Sequence, residues 1–269
     1  MMNGNQRILR SACCFLCLAA LLPMLTFSAQ AKPADSAGSY GWYCVHAKDH
    51  KQPEMDSSLS FVESLGGYYL DRKVDENSDD KVVYFTFDAG YENGNVAKVL
   101  NVLREEQVKA AFFVLENLIE RQPELIRQMQ ADGHLVCNHT AHHKDMSRAD
   151  DETLLGELRS LENAYRSLTG GEMPRYYRPP EGRFSRANLE CLNRNGYKTV
   201  FWSFAYPDWD NNRQMPPEKA KQIILENIHN GEVMLLHPTS ATNAAILGDV
   251  ICELKRQGYR FGTLDELTA

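Results

Sequence analysis

The sequence of 269 residues lacks several patterns that would assign it to common classes of protein. Beyond residue 31 its cysteines are widely spaced and form no CxxC pair, so neither a zinc knuckle nor a disulfide framework is indicated. No G-x-G-x-x-G or phosphate-loop motif follows its first apolar strand-like run, which disfavours a nucleotide-binding sheet. It also lacks a run of lysine and arginine, and its formal net charge is -7. The composition therefore gives nucleic-acid binding little support.

Cysteine is present but sparse. The first 31 residues contain three of the seven cysteines, and the other four are widely spaced along the rest of the chain. We expect most of these four to be small buried apolar residues. The sequence does not decide whether two of them form a disulfide. The four are Cys44, Cys137, Cys191 and Cys252.

The beginning of the chain differs from the remainder. Arg7 and Arg10 precede an apolar stretch at residues 12–27, and the small residues at 28–31 are typical of a signal-peptidase site. We predict a signal peptide at 1–31 and export from the cytoplasm. An uncleaved membrane anchor is the alternative, although the stretch is short for a full span.

Two further regions follow. Residues 32–80 form a linker and N-terminal extension of mixed composition. Residues 81–269 alternate short apolar runs with segments of helical period, which predicts an α/β domain with parallel strands, either an open doubly wound sheet or a barrel. The seven strands are expected at 82–87, 110–114, 134–137, 175–178, 198–204, 232–236 and 259–261.

Polar residues follow five of these strands, and in a barrel such residues meet at the carboxyl-terminal rim. Each has an ordinary structural interpretation when taken alone: a helix cap, an ion pair, a turn or a core histidine. Together they indicate a catalytic site with a base held ionised by a guanidinium and an imidazole that donates a proton. They are Asp88, His139, His143, Arg178, Asp208 and His237.

His139 and His143 are four residues apart. If the segment is helical, both imidazoles project from one face and can bind one divalent cation. His142 is one residue off that face and is not expected to share the site.

The strings TFDAG, HTAHH, RPPEG, DW and LLH occur in the order of the motifs of the polysaccharide deacetylases, the NodB-like members of carbohydrate esterase family 4. Longer strings, including TFDAGYENG and RPPEGRFS, resemble the PdaA-type delta-lactam-biosynthetic de-N-acetylases. The resemblance covers roughly residues 80–267. It implies a distorted (β/α)7 barrel of the NodB-homology type with an N-terminal extension.

The resemblance also implies a reaction: removal of the acetyl group from N-acetylmuramic acid in peptidoglycan glycan strands. The substrate would be a muramic residue whose peptide stem an amidase has removed, on the way to the muramic delta-lactam of the spore cortex. By the same resemblance Asp88 is the general base, His237 the acid, and His139 and His143 the metal ligands. Arg178 holds Asp88, and Asp208 tunes His237. Substrate binding falls to Tyr91, Glu92, Asn93, Trp209 and Leu235, with Leu235 lining the pocket for the acetyl methyl.

Ala89 departs from the broad family, in which most members have a second Asp as third metal ligand. A methyl group cannot ligate, so the divalent metal, expected to be Zn²⁺, would have an atypical site.

Two alternative functions stay open. One is an N-acetylglucosamine or chitooligosaccharide deacetylase, and the other is a catalytically inactive wall-binding protein. The sequence does not fix the oligomeric state.

Overall fold

The structure is a computed structural model that describes residues 38–269. The predicted signal peptide, residues 1–31, lies outside this range. Among the helices that are described, none has both the length and the apolar character needed to cross a membrane.

The described chain contains ten strands and nine α-helices. The strands are β1 (Ser39–Gly41), β2 (Gly67–Tyr68), β3 (Lys81–Ala89), β4 (Ala111–Val114), β5 (Leu135–Asn138), β6 (Tyr176–Tyr177), β7 (Arg183–Ser185), β8 (Lys198–Val200), β9 (Glu232–Leu236) and β10 (Tyr259–Phe261). The helices are α1 (Phe61–Ser64), α2 (Val96–Glu105), α3 (Glu116–Arg121), α4 (Pro123–Ala131), α5 (Asp151–Thr169), α6 (Arg186–Arg194), α7 (Pro217–Asn227), α8 (Ala241–Arg256) and α9 (Leu264–Leu267).

Eight of the strands form one parallel sheet in the order β10-β3-β4-β5-β6-β8-β2, with β9 also paired to β3. The parallel sheet forms a half-barrel with helices between its strands, which confirms the predicted α/β fold class. All seven predicted strands are present, although the fifth ends at Val200 rather than at residue 204. The segment after it contacts β9 through a single bridge between Phe204 and Met234.

Side chains alternate between the two faces of each strand and so contribute to two separate apolar clusters. Residues of β3 such as Val83, Phe85 and Phe87 pack with the helices, whereas Val82 and Tyr84 pack with residues from β4, β8 and β9 in a second cluster. Because side chains alternate between the two faces of a strand, Thr86 and Asp88 continue the face of Val82 and Tyr84. The interior of the half-barrel is therefore apolar at one end and polar at its carboxyl-terminal end.

The N-terminal extension packs against the half-barrel. β1 pairs antiparallel with β7, β2 pairs with β8, and a bridge joins Leu70 to Glu232 at the start of β9. The extension thus covers the seam between β8 and β9, where the parallel ladder is interrupted.

Candidate active site

Strand register brings the predicted catalytic residues together. β3 pairs with β9 up to Phe87 and Leu236, so Asp88 and His237 are the next residues on neighbouring strands. On the other side, Asn138 of β5 pairs with Tyr177 of β6, so His139 and Arg178 follow at one level. The carboxyl ends of four parallel strands therefore supply one rim.

Asp88 and Arg178 form a buried ion pair. The Asp88 Oδ1 accepts from Arg178 Nη1 at 2.8 Å, and the Arg178 side chain is fully buried. Burial raises the pKa of Asp88, but the adjacent Arg178 guanidinium, together with His139 and His237, outweighs it and holds the pKa of that carboxyl below its usual value. Asp88 is consequently ionised at neutral pH and can accept a proton.

Arg178 is held in turn by three further acceptors. Its Nη2 donates to the Thr86 Oγ1 at 2.9 Å and to the Phe201 carbonyl at 3.1 Å, and its Nε donates to the Val200 carbonyl at 3.0 Å. The guanidinium also lies over the Phe113 ring, 4.2 Å from its centroid. These contacts fix the cation that positions Asp88.

His237 and Asp208 form the second pair. The two Asp208 carboxylate oxygens lie 2.7 Å from His237 Nδ1 and from the His237 backbone nitrogen. Asn243 Nδ2 donates to the same carboxylate at 2.6 Å. Burial lowers the pKa of His237, but the Asp208 carboxylate opposes this strongly enough to raise it above its ordinary value. The imidazole is thus suited to donate a proton through Nε2.

His139 and His143 lie side by side, with ring centroids 5.0 Å apart. The expected helix between them is wrong: the segment is irregular, and Thr140 and His143 have positive φ values of 70° and 55°. The loop brings the rings together because Thr140 Oγ1 accepts from the His143 backbone N–H at 2.9 Å. His142 turns away and contacts Glu157 instead.

A cleft of about 790 Å³ joins these groups. Asp88, His139, His143 and His237 all line it. The predicted substrate-binding residues Tyr91, Trp209 and Leu235 line it as well, and Trp209 is 60% exposed. An exposed aromatic beside a polar catalytic rim is well suited to stack against a sugar ring.

Glu92 and Asn93 are not among the residues that line the cleft. The Glu92 carboxylate accepts from the backbone N–H groups of Gly94 and Ala97, at the start of α2. Asn93 donates to the Thr239 carbonyl at 2.9 Å. Both side chains hold the loop that carries Tyr91 beside the cleft.

Sequence reasoning missed three residues of the site. Thr86 lies two positions before Asp88, so strand alternation alone could have placed it beneath the carboxylate. Asn243, which fixes Asp208, comes from α8 and has no local sequence signal. Trp202 lines the cleft but lies inside a run that reads as an ordinary buried strand.

Comparisons with known proteins identify the family of this chain. The family model for polysaccharide deacetylase matches residues 75–200. A peptidoglycan-N-acetylmuramic acid deacetylase, PdaA of Bacillus subtilis (strain 168), is 37% identical over 256 residues, which is 95% of this chain and 94% of the relative. The chain belongs to the polysaccharide deacetylase family.

The other matches place this polysaccharide deacetylase in carbohydrate esterase family 4. The solved structure of Bacillus subtilis PdaA, described as a family 4 carbohydrate esterase, superimposes with a TM-score of 0.79 over 85% of this chain and 96% of that chain. A peptidoglycan-N-acetylglucosamine deacetylase of Bacillus cereus is 31% identical over 71% of this chain and 89% of its own length. The protein is therefore a hydrolase of a family that acts on amide bonds.

Deacetylases of this family are metal-dependent in general, and two imidazoles here fit such an ion. His139 Nδ1 lies 2.8 Å from the Arg178 carbonyl, which accepts its proton and leaves the Nε2 lone pair free. Burial lowers the pKa of His139 to about 4, so the ring is neutral at neutral pH, as ligation requires. Within residues 38–269 no three His, Cys, Asp or Glu side chains are grouped to hold a metal. His139 and His143 are the residues that would hold such a cation.

Proposed function

We propose that this protein removes the acetyl group from N-acetylmuramic acid residues of peptidoglycan whose peptide stems have been cleaved off. The observation that carries the deacetylase chemistry is the pair of oriented groups, Asp88 on Arg178 and His237 on Asp208, facing one cleft. The choice of sugar is supported by the similarity to the Bacillus subtilis muramic acid deacetylase along nearly the full length of both chains.

Asp88 acts as the general base in this proposal. Its ionised carboxylate takes a proton from a water molecule, and the resulting nucleophile adds to the acetyl carbonyl carbon. Arg178 keeps the carboxylate charged and fixes its orientation. Leu235, which is 5% exposed in the cleft wall, offers an apolar surface to the acetyl methyl group.

His237 acts as the general acid. It gives its proton to the sugar nitrogen as the carbon–nitrogen bond breaks, so that acetate and a free amine leave the site. Asp208 stabilises the imidazolium before this transfer, and Asn243 keeps Asp208 in place. Asp88 then loses the proton it has gained to solvent, and His237 takes up a proton from solvent, which together restore the starting state.

His139 and His143 would hold the divalent cation, for which Zn²⁺ is the candidate. Such an ion, when bound, polarises the acetyl carbonyl and lowers the pKa of water beside it. His139→Ala should lower both the metal content of the purified protein and its rate, as measured by elemental analysis and product release. Full activity in excess chelator would show that the cation is dispensable.

The proposed place of the reaction is outside the cytoplasm, after an N-acetylmuramoyl-L-alanine amidase has acted. Loss of the stem leaves a free lactyl carboxyl on the muramic residue, and deacetylation leaves a free amine on the same sugar. These two groups can close to the muramic delta-lactam of the spore cortex. The predicted signal peptide supports export.

Mass spectrometry of the products tests the proposal. Purified protein would be incubated with amidase-treated peptidoglycan, intact peptidoglycan and N-acetylglucosamine oligomers, each with and without added Zn²⁺. We expect loss of acetyl from muramic residues in the amidase-treated glycan. Deacetylation confined to glucosamine residues would favour the N-acetylglucosamine deacetylase instead, and binding to glycan without turnover would indicate an inactive wall-binding protein.

A further inference from the structure

One residue of the N-terminal extension contacts the wall of the cleft directly. Trp42 follows β1, is 6% exposed, and donates its backbone N–H to the Gly182 carbonyl at 2.8 Å. Gly182 belongs to the rim turn, defined here as Pro180–Gly182, which leads into β7. The extension is thereby attached to a turn whose residues Glu181 and Gly182 line the cleft.

The Trp42 indole contacts a second part of the same wall. Its Nε1 donates to the Trp202 carbonyl at 2.8 Å, and its ring stacks on Phe201 with centroids 4.4 Å apart. Trp202 lines the cleft, and the Phe201 carbonyl is one of the acceptors that hold Arg178. Trp42 therefore connects the rim turn, through its backbone N–H, with the Trp202 wall and the backbone that orients Arg178, through its indole.

The rim turn has a backbone that needs such support. Glu181, which has a side chain, adopts φ 54° and ψ 14°, in the left-handed region that costs energy for residues other than glycine. Gly182 has φ +66°, and a Cβ placed there would lie 2.8 Å from the Trp202 ring and 3.1 Å from the Trp42 Cβ. The turn, Trp202 and Trp42 are thus in close contact, with no room for an added methyl group.

We propose that Trp42 is a positioning residue for substrate binding, which fixes the rim turn against Trp202 and so sets the shape of the glycan-binding wall. The proposal rests on the deacetylase activity proposed above but not on which sugar is the substrate. It assigns the N-terminal extension a part in substrate binding in addition to covering the seam of the half-barrel.

Trp42→Phe is the variant that tests this assignment. Phenylalanine keeps an aromatic ring for Phe201 but removes the indole N–H that binds the Trp202 carbonyl. We expect KM for the glycan to rise about fivefold or more while kcat stays within about twofold, because the wall loosens whereas Asp88 and His237 keep their partners.

The matched control is Tyr40→Leu. Tyr40 lies in β1 itself and packs against Phe61 and Phe184, which do not line the cleft. The variant Tyr40→Leu should lower the Tm as Trp42→Phe does, but it should leave KM for the glycan unchanged. If both variants lose Tm alike and neither changes KM, Trp42 has only a structural role and the proposal is overturned.

A second variant approaches the same contact from the rim. Gly182→Ala places a methyl group against Trp202 and Trp42, so it should raise KM in the same direction even if Trp42→Phe does not fold. An unchanged KM in soluble, folded Gly182→Ala would contradict the proposal.

The proposed function is tested separately, by assaying the unaltered protein on muramic and glucosamine glycans. The glycan that it deacetylates is then used to compare the variants. Where it turns over neither muramic nor glucosamine glycan, the same variants are compared by their affinity for amidase-treated glycan in calorimetry. A weaker affinity in Trp42→Phe but not in Tyr40→Leu would then support the positioning role even though the proposed function had failed.

Discussion

Arg178 is a fully buried cation whose charge is compensated by Asp88 alone among its four hydrogen-bond acceptors. An ion of this kind is costly to bury unless its hydrogen bonds are satisfied and an opposite charge lies beside it. The ion pair with Arg178 therefore fixes the Asp88 carboxylate at the cleft, at the level where the strand register also places His237. The position of the base follows from the arginine beneath it.

Asp88→Asn should abolish deacetylation, with a loss of at least about 100-fold in kcat, because an amide cannot take the proton from water. The shape of the side chain is kept, and Arg178 retains the Thr86 hydroxyl and two carbonyls as acceptors. We expect a folded protein with a lower Tm, monitored by circular dichroism beside the activity assay. Turnover equal to that of the unaltered protein would refute the role of Asp88 as base.

Asp208 controls the protonation of His237 at the opposite side of the cleft. The Asp208 carboxylate raises the pKa of His237 although burial lowers it. His237 therefore stays protonated to a higher pH than an ordinary histidine does. Activity that depends on protonated His237 is present below this pKa and is lost as pH rises through it.

Asp208→Asn removes the charge that raises the pKa of His237, so the alkaline limb of the kcat profile should move to lower pH. The change is measured from kcat against pH at saturating glycan. Asp210→Asn is the control, because Asp210 lies in the same loop but its carboxylate accepts from the Asn212 backbone N–H at 2.9 Å and not from His237. An alkaline limb that stays in place in Asp208→Asn would exclude His237 as the titrating acid.

At the scale of elements, the loop between β5 and α5 shows where sequence patterns were insufficient. The HxxxH spacing correctly indicated that His139 and His143 are neighbours, but for a reason that is wrong, since the residues between them are not helical. Spacing reports distance along the chain, whereas the loop conformation depends on side-chain contacts with α5. The principal contact is Glu157, which is fifteen residues beyond His142.

Glu157 anchors this loop to α5. Its carboxylate accepts from the His142 backbone N–H at 3.1 Å and from Lys144 Nζ at 2.9 Å, and its side chain is 10% exposed. Glu157→Ala should release the loop and weaken Zn²⁺ binding severalfold, with a parallel fall in kcat/KM, although both imidazoles remain. Titration calorimetry with Zn²⁺ measures the effect.

Lys144→Ala is the matched control for Glu157→Ala. It removes the exposed cation but leaves both His142 contacts with Glu157 in place, and exposed ion pairs contribute little to stability. Zn²⁺ affinity should stay within about twofold of the unaltered protein. Equal affinities in all three proteins would mean that the loop holds its shape without Glu157.

At the scale of the whole molecule, the sequence predicted the alternation of strands and helices and the rim that the register assembles. Apolar runs of period two and caps near helix ends are local signals, and parallel strands bring their carboxyl ends to one edge. The short strands β1, β2 and β7 were not predicted, because none of them contains an apolar run. The contact of Trp42 with Trp202, 160 residues apart, also depends on the fold and has no local signal.

The end of the half-barrel opposite the cleft contains a third buried titratable pair, Glu232 and His229, which the chemistry does not use. Glu232 is fully buried and its Oε2 lies 3.0 Å from His229 Nδ1, while its Oε1 finds no hydrogen-bond partner among the described residues. Burial raises the pKa of Glu232 more than His229 lowers it. For His229, burial acts to lower the pKa, and Glu232 outweighs it and raises the value. Cys44 and His46 of the extension also face this pair.

Both shifts mean that the folded protein holds protons that the unfolded chain releases. Above the ordinary pKa of glutamic acid the unfolded state binds fewer protons than the folded state, so this pair makes the free energy of unfolding fall as pH rises. Glu232→Gln removes the titratable acid while keeping the volume of the side chain. The fall in unfolding free energy between pH 5 and 8 should therefore be smaller in this variant, as measured by urea denaturation at a series of pH values.

Glu226→Gln, an exposed change on α7, should leave the pH dependence as it is. If Glu232→Gln and the unaltered protein lose stability in parallel across this range, the buried pair does not titrate during unfolding, and the pH sensitivity of the fold lies elsewhere.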